Sequence, residues 1–466
     1  MRRRLDSSWD RTPGTDREIQ RHLWALVVPN VLSNLSVPLL GIADTALVGH
    51  LDRIAYLGAI SVAGALFDTL YWVFGFLRMG TTAVVSQLYG ARAHRTAGFM
   101  MIQAVGFGFL VGVLMILLRD PLASVGFRLA GGSEAVVAAG REYFRIRILG
   151  APLVLATYAL IGFFRGMKDV MTPLIVTVLV NAANVFLDVG LIYGRFGLPR
   201  LEVVGAAWAT LLATALGFAA AVAILILRYG RDCLPRSARE LAGGLVSVST
   251  RYARTFLGTN FNLFLRTLLL ITSYFVIIAV ASRMGEAALA ANAIVIQIWH
   301  LVAYSVDGVA FAAETLVGNA LGARAFHRVR RISMWTIVWG VVLGLAYSAA
   351  YLGFMRPIAR AFTAHGPVVA GVVEVTLWTV VSMPINGIAF VLDGIFIGAN
   401  DTRYLFLAML ISTGLLFLPA LLLFVGALGW GLPGVWAAMF VWMVARAGTL
   451  ALRYRGDAWI RTLVME

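Results

Sequence analysis

Cysteine is nearly absent from this 466-residue chain. Cys233 stands alone, so no intrachain disulfide can form, and no cysteine–histidine metal spacing exists. None of the six histidines lies in a His-Glu-x-x-His pattern, and there is no Gly-x-x-x-x-Gly-Lys-Ser/Thr phosphate loop. Both absences argue against zinc-hydrolase chemistry and against ATP hydrolysis as a motor. No span carries a nucleophile or metal pair, so the chain reads as something other than an enzyme, with no cofactor. Charge is scarce as well: 13% of residues are charged against 60% hydrophobic, and the mean hydropathy is +0.86. No soluble globular domain has that composition. Lysine occurs once, at Lys168, and every other basic side chain is arginine, a bias of GC-rich coding rather than of chemistry. The opening Met1-Arg2-Arg3-Arg4-Leu5-Asp6 lacks the short apolar core of a cleavable signal, so the first apolar segment is expected to be a retained anchor.

What the chain has is apolar length. Runs of about twenty apolar residues can cross a ~30 Å hydrocarbon core, and charged or Gly/Pro breaks divide the sequence into twelve of them. The expected spans are 23–48, 54–77, 97–118, 134–164, 170–193 and 203–227, then 256–281, 287–312, 329–352, 368–397, 404–427 and 433–452. Residues 228–255, with Arg228, Arg231, Arg236, Arg239, Arg251 and Arg254, form the longest polar link. The organisation expected is a segment 1–22, an N-lobe of helices 1–6 over 23–227, a linker 228–255, a C-lobe of helices 7–12 over 256–452, and a segment 453–466. Placing 1–22, 91–96, 165–169, 228–255, 324–331, 403 and 453–466 inside gives them roughly three times the basic residues of the outside links, so both termini are expected to be cytoplasmic. The net charge of +15 then reflects basic loops beside anionic lipid rather than a nucleic-acid partner.

The two halves repeat one another. Gly90-Ala91-Arg92 returns as Gly322-Ala323-Arg324, about 232 residues on, and Pro152, Gly162, Gly166 and Asp169 return as Pro384, Gly394, Gly398 and Asp401. Gly205-Ala206-Ala207-Trp208 has its counterpart in Gly434-Val435-Trp436-Ala437. Each half has an even number of spans and enters from the same side. The fold class is therefore an all-α polytopic membrane protein with twelve transmembrane helices in two parallel six-helix repeats, the usual build of a secondary transporter.

A charge inside a span costs several kcal/mol unless it is paired or wet, so each one is a functional candidate. Asp44 and Asp188 lie roughly 27–32 Å along two helices that run in the same direction, hence at comparable depth. Asn181 and Asn184 share the helix face of Asp188. Two carboxylates with amides at one depth could bind a proton or Na⁺, because burial and mutual repulsion disfavour the doubly ionised pair. The alternative is that Asp44, beside Gly49-His50-Leu51-Asp52, caps a helix end in headgroup water. Pro29 and Pro38 each remove a backbone hydrogen bond from helix 1 and permit a kink, either a static bend or a hinge. In the second half, Asp307 and Glu314 share a face of helix 8, Asp393 lies on helix 10, and Arg266 on helix 7 is the one central cation expected. Arg266 paired with one or two of these acids is the cheapest arrangement, serving as structural glue or as a gate.

In this order, these residues resemble the multidrug and toxic compound extrusion (MATE) family, within it the DinF branch, over nearly the whole chain. The matching stretches are Asp44-Thr45-Ala46-Leu47-Val48-Gly49-His50-Leu51, Phe76-Leu77-Arg78-Met79-Gly80 running on to Gln87 and Gly90-Ala91-Arg92, and Asn181 through Asn184 to Asp188. The second half adds Asp307-Gly308-Val309-Ala310 up to Glu314, and Leu392-Asp393-Gly394 up to Gly398-Ala399. The resemblance implies a V of two six-helix bundles that exports small amphipathic, often cationic drugs against H⁺ or Na⁺. It implies an N-lobe cation site at Asp44, Asn184 and Asp188, with Thr210 aligned to it, and a helix-1 kink at Pro29. Two positions depart from the family. Helix 7 has no acid and Asn386 stands where another branch keeps an Asp, so that branch's C-lobe Na⁺ site does not transfer. Helix 7 also reads Asn260-Phe261-Asn262 where the DinF branch often has Asn-Arg-Asp. The expected function is a cation-coupled multidrug antiporter of a bacterial inner membrane, monomeric and surrounded by lipid, with H⁺ favoured over Na⁺. A lipid or lipid-linked saccharide flippase of the wider superfamily is the alternative, weakened by the few central cations.

Overall fold

The computed structural model describes residues 14–48, 54–131 and 133–463; the side chains of 37–40, 42–46, 48 and 54–55 lie outside that description. Among the described residues every regular element is a helix, as lipid requires of a chain that must satisfy its own backbone. The helices are α1 (Asp16–Val48), α2 (Ile54–Val73), α3 (Phe76–Gly90), α4 (His94–Leu117), α5 (Arg119–Ala130), α6 (Glu134–Arg147), α7 (Ala151–Gly166), α8 (Met171–Tyr193) and α9 (Glu202–Cys233). The second half continues with α10 (Ala238–Ser282), α11 (Glu286–Gly322), α12 (Phe326–Phe362), α13 (Gly366–Glu374), α14 (Thr376–Gly398), α15 (Thr402–Ile411), α16 (Leu418–Leu421) and α17 (Gly431–Arg455).

Several neighbours join into single spans. Tyr56–Gly90 runs through α2 and α3, Glu134–Gly166 through α6 and α7, and Thr402–Ala427 through α15, α16 and two π-helical stretches. Those stretches flank Pro419, which lacks the N–H a regular ladder would use. Among the described residues 11 helices are long and apolar enough to cross a membrane, and α1, of 33 residues, precedes them. Two sequence expectations change. The link after helix 3 contains α5, and residues 228–255 are mostly helical, broken only around Pro235. Ser237 restarts the chain as α10 by accepting the Glu240 N–H (3.1 Å), while the Glu240 carboxylate accepts the Arg236 N–H (2.7 Å). Thr15 and Glu18 start α1 by the same reciprocal device.

The chain forms two compact units. One holds Leu32–Tyr89 and Ala93–Phe256; the other holds the chain up to Val31, Gly90–Arg92 and everything from Leu257. The repeat seen in the sequence is present in the backbone of both. Arg92 and Arg324 adopt positive φ (60° and 54°), as do Lys168 and Asn400 (59° and 58°), each just past the end of an equivalent helix. The following N–H closes each turn: Asp169 onto Phe164 (2.8 Å) and Asp401 onto Phe396 (2.9 Å). Both aspartates then hold the unit's last helix, Asp169 through Arg228 (3.3 Å) and Tyr229 (3.0 Å), Asp401 through Arg453 (2.8 Å).

Helix pairs approach so closely that only glycine fits. A methyl group at Gly112 of α4 would strike the Pro152 backbone, and one at Gly344 of α12 would strike Met383 and Pro384. One turn earlier, Gly108 faces the Leu155 carbonyl and Gly340 the Gly387 carbonyl, each 2.8 Å from a would-be Cβ. Without a hydrophobic drive between helices in lipid, such small-residue seams supply the packing. Gly112→Ala and Gly344→Ala should each lower the thermal unfolding midpoint in detergent, at an overpacking cost of about 1–3 kcal/mol. Gly106→Ala and Gly353→Ala, on the same two helices with open space around them, should leave the midpoint unchanged or raise it.

Candidate ion site and buried charge cluster

In the first unit α8 carries a polar stripe. Thr177, Asn181, Asn184 and Asp188 recur at steps of four, three and four, which is one face of a helix. Asn184 and Asp188 are both 0% exposed. The second half of α1 lies along this face: Ser33 and Thr177 hydroxyls are 3.3 Å apart, and the Asn181 amide donates to the Ser36 carbonyl (2.9 Å). Further along, the Tyr193 hydroxyl donates to the Leu47 carbonyl (2.5 Å). These contacts run in step, so the two helices are parallel and the α1 backbone at Asp44 is level with the turn of α8 at residues 188–190. The side chains of Asp44 and Pro38 themselves lie outside the described residues. On the other side of α8, the Asn184 amide donates to Thr210 of α9 (3.3 Å), whose hydroxyl donates to the Ala206 carbonyl (3.0 Å). The stripe thus joins Asp188, Asn184 and Thr210, with Asn181 and Ser36 as additional members.

The first half of α1 packs differently. Asp16 Oδ1 accepts from Arg331 Nε (2.6 Å) and Trp335 Nε1 (2.7 Å), and Gln20 Oε1 accepts from Trp339 Nε1 (2.6 Å). Trp24 closes the row with its ring edge-on to Trp339, centroids 4.7 Å apart. Asp16, Gln20 and Trp24 on α1 and Arg331, Trp335 and Trp339 on α12 are all four apart, so two helix stripes are zipped together. Pro29, which is buried, stands just before the residue at which α1 passes from one unit to the other.

In the second unit Asp393 of α14 pairs with Arg266 of α10, and with a second arginine. Asp393 Oδ2 accepts from Arg266 Nη2 and also from Arg446 Nη2 (2.6 Å). Arg446 belongs to α17 and is 2% exposed. The expectation of one central cation is therefore corrected to two. Periodicity offered no help, because α17 is apolar on all sides; the clue was Trp442, one turn before Arg446 and 5.5 Å from its guanidinium. Glu314 is buried and Asp307 half-buried on α11, the latter within electrostatic range of Tyr274.

Long apolar helices in two repeats, with carboxyl groups buried among them, define a secondary-transporter scaffold. The chain belongs to the MatE family, whose model matches residues 29–189 and 263–422. It is 31% identical to DNA damage-inducible protein F of Escherichia coli (strain K12), over 93% of this chain and 91% of that protein. It is 25% identical to the probable multidrug resistance protein NorM of Thermotoga maritima, over 96% and 95%. Among solved structures, a MOP superfamily transporter from Pyrococcus furiosus matches with a TM-score of 0.81 at 21% identity, covering 95% of this chain and 97% of that one. The protein is thus a polytopic membrane transporter of the MatE family, not an enzyme.

The α1–α12 zipper has a pH signature. The Asp16 carboxyl is held below the ordinary carboxylate range, first by the Arg331 hydrogen bond and then by that of Trp335. A depressed native value means that the contact stabilises docking above the unfolded value and is lost as pH falls through the native one. Amide protection over residues 16–24 should stay high from neutral pH down past ~3.9 and fall only in stronger acid. In Asp16→Asn it should be low throughout. Equal protection in the two proteins would show that the charge does not hold the helix.

Proposed function

We propose that the protein exports small amphipathic or cationic compounds in exchange for H⁺ rather than Na⁺, by alternating access across a bacterial inner membrane, working as a monomer with both termini cytoplasmic. The observation that carries this reading is Asp188, a carboxyl group with no solvent exposure on a stripe of amides and hydroxyls shared with α1 and α9. Together with Asp44, Asn184 and Thr210 it forms the coupling site. A charged residue inside a span costs about 2.5–3.5 kcal/mol on insertion scales, a cost that protonation of the acid relieves. That difference can shift an access equilibrium roughly 100-fold. Proton occupancy from outside then favours release of the exported compound outward, and loading from the cytoplasm or inner leaflet favours the deprotonated site. Exchange follows because each ligand stabilises a different state. Pro29 supplies the break in α1 that lets its second half follow the protonation state of the site, and the Arg266–Asp393–Arg446 triad remains ion-paired throughout. H⁺ is favoured because Asn386 and the acid-free stretch from Phe256 to Ala281 leave the second half without the residues for a Na⁺ site.

Purified protein in liposomes distinguishes the coupling ions directly. Transport of a fluorescent organic cation should follow an imposed ΔpH and ignore a ΔNa⁺ of equal size. In Asp188→Asn, compound-driven proton release should fall to the level of protein-free vesicles. Full release in that mutant would remove Asp188 from the mechanism, and transport driven by ΔNa⁺ alone would replace the proton with sodium.

A further inference from the structure

We propose that Asp68, with Trp72 one turn further along α2, recognises the charged group of an exported organic cation. The proposal rests on the exporter reading above and names the residues that select its substrate. Asp68 follows Tyr56 by about 18 Å of helix in a span that continues to Gly90, so it stands well inside the membrane-crossing part. It is nevertheless exposed. Among the described residues of α2 the exposed ones are Ser61, Ala65, Asp68, Thr69 and Trp72, which recur at steps of three and four and form one stripe. The exposed stripes of α4 and α8 are apolar, as lipid demands, with Leu110, Leu114 and Leu117 on one and Ile175 and Val178 on the other. On α2 the one large hydrophobic side chain so exposed is Trp72, at 42%. An acid inside a span faces either the bundle interior or water. Exposure excludes the interior, so this stripe borders water at membrane depth.

The repeat supplies a second, independent observation. At the offset of 232 residues, Ser61, Ala65, Asp68 and Trp72 fall on Ala293, Gln297, His300 and Tyr304 of α11. Ala293 and Gln297 are exposed, His300 and Tyr304 are half-buried, and the last two rings stack with centroids 6.1 Å apart. Each unit by itself therefore turns one polar and aromatic stripe outward, and of these two sets of four only the first has an acid. Its chemistry selects the ligand. The hydroxyls of the stripe bond to their own helix, Ser61 donating to the Leu57 carbonyl (2.8 Å) and Thr69 to that of Ala65 (2.9 Å). Arg147 acts on Asp68 through space. Its guanidinium lies over the Phe67 ring, 4.6 Å from the centroid, and donates to the Tyr143 hydroxyl (3.1 Å). Phe67 is 0% exposed, on the packed side of α2. The stripe thus presents a carboxylate and an indole to the water beside it. An organic cation suits both, because its charge complements the carboxylate while its apolar body covers the indole, whose face also attracts cations. A hydrated inorganic ion gains nothing from the indole, and an anion is repelled by the carboxylate. Asp188 is 0% exposed, so the proposed proton site and this recognition point are separate groups.

Calorimetric titration of the purified full chain in detergent tests this with two probes of similar shape and different charge. Tetraphenylphosphonium is a permanent cation, and triphenylphosphine oxide is neutral. The parent should bind the cation about tenfold or more tightly than the oxide. The ratio of the two affinities is the readout. In Asp68→Asn it should collapse toward one, through loss of the cation alone, and Asp68→Glu should restore most of it. Trp72→Ala should weaken the cation by roughly two- to fivefold. Asp68 is exposed, so these variants leave the packed core intact. An unchanged ratio in Asp68→Asn, whether both probes keep their affinity or weaken in step, would overturn the proposal and leave the exporter reading standing. Tighter binding of the cation by that variant would overturn it too. A parent that binds no tetraphenylphosphonium would remove the exporter reading together with this one.

Discussion

Lipid cannot solvate a backbone or a charge, and that constraint shapes each level of this protein. It forces the chain into helices that satisfy their own N–H and C=O groups. It also removes the hydrophobic drive that would press those helices together, so packing falls to shape. The glycine seams of α4 against α7 and of α12 against α14 are the result, with backbone lying on backbone where a single methyl group would intrude. The few ionisable groups left inside are then either matched by partners or put to use.

Duplication preserved the packing and let the chemistry diverge. Gly112 and Gly344, the left-handed turns at Lys168 and Asn400, and the clasps of Asp169 and Asp401 occupy equivalent places in the two units. These features set helix spacing and close helix ends, which both units need equally. The buried charges follow no such symmetry. The first unit places carboxyl, amide and hydroxyl groups on α8, where a small cation could be held. The second gathers two arginines on one aspartate. In the proposed exchange, asymmetry of this kind lets one half respond to an ion gradient while the other keeps its ion pairs.

The spans were legible because a run of apolar residues long enough to cross lipid needs no partner to be recognised, and the repeat was legible because glycines and turn residues recur at one offset. What stayed hidden depends on contacts between distant segments. The stretch of α10 over 238–255 is polar and reads as a link, yet it is helical because Ser237 and Glu240 start it. The burial of Arg446 stayed hidden because it depends on Phe390 of another helix lying across it as well as on Trp442. The stripe from Thr177 to Asp188 was visible by spacing alone. That Ser36 and Thr210 complete it became apparent only once α1 and α9 were placed on either side.

One helix connects these features. Residues 16–24 of α1 are zipped to α12 by a row of polar and aromatic contacts, whereas residues 33–47 lie along the α8 stripe and carry the backbone of Asp44 past Asp188. The two rows belong to different compact units, and buried Pro29 lies between them. A proline in a helix interior leaves one carbonyl without its usual donor and clashes with the preceding turn, so bending there costs less than at a turn whose ladder is complete. The contacts along α8 are single hydrogen bonds, each worth about 1 kcal/mol net. The Asp16 end, with two charge-assisted donors on one oxygen and a tryptophan pair behind it, is the firmer anchor. In the proposed mechanism a change in the charge of the α8 stripe acts on the more weakly held half of α1, and the helix yields at the proline before it pulls free of α12.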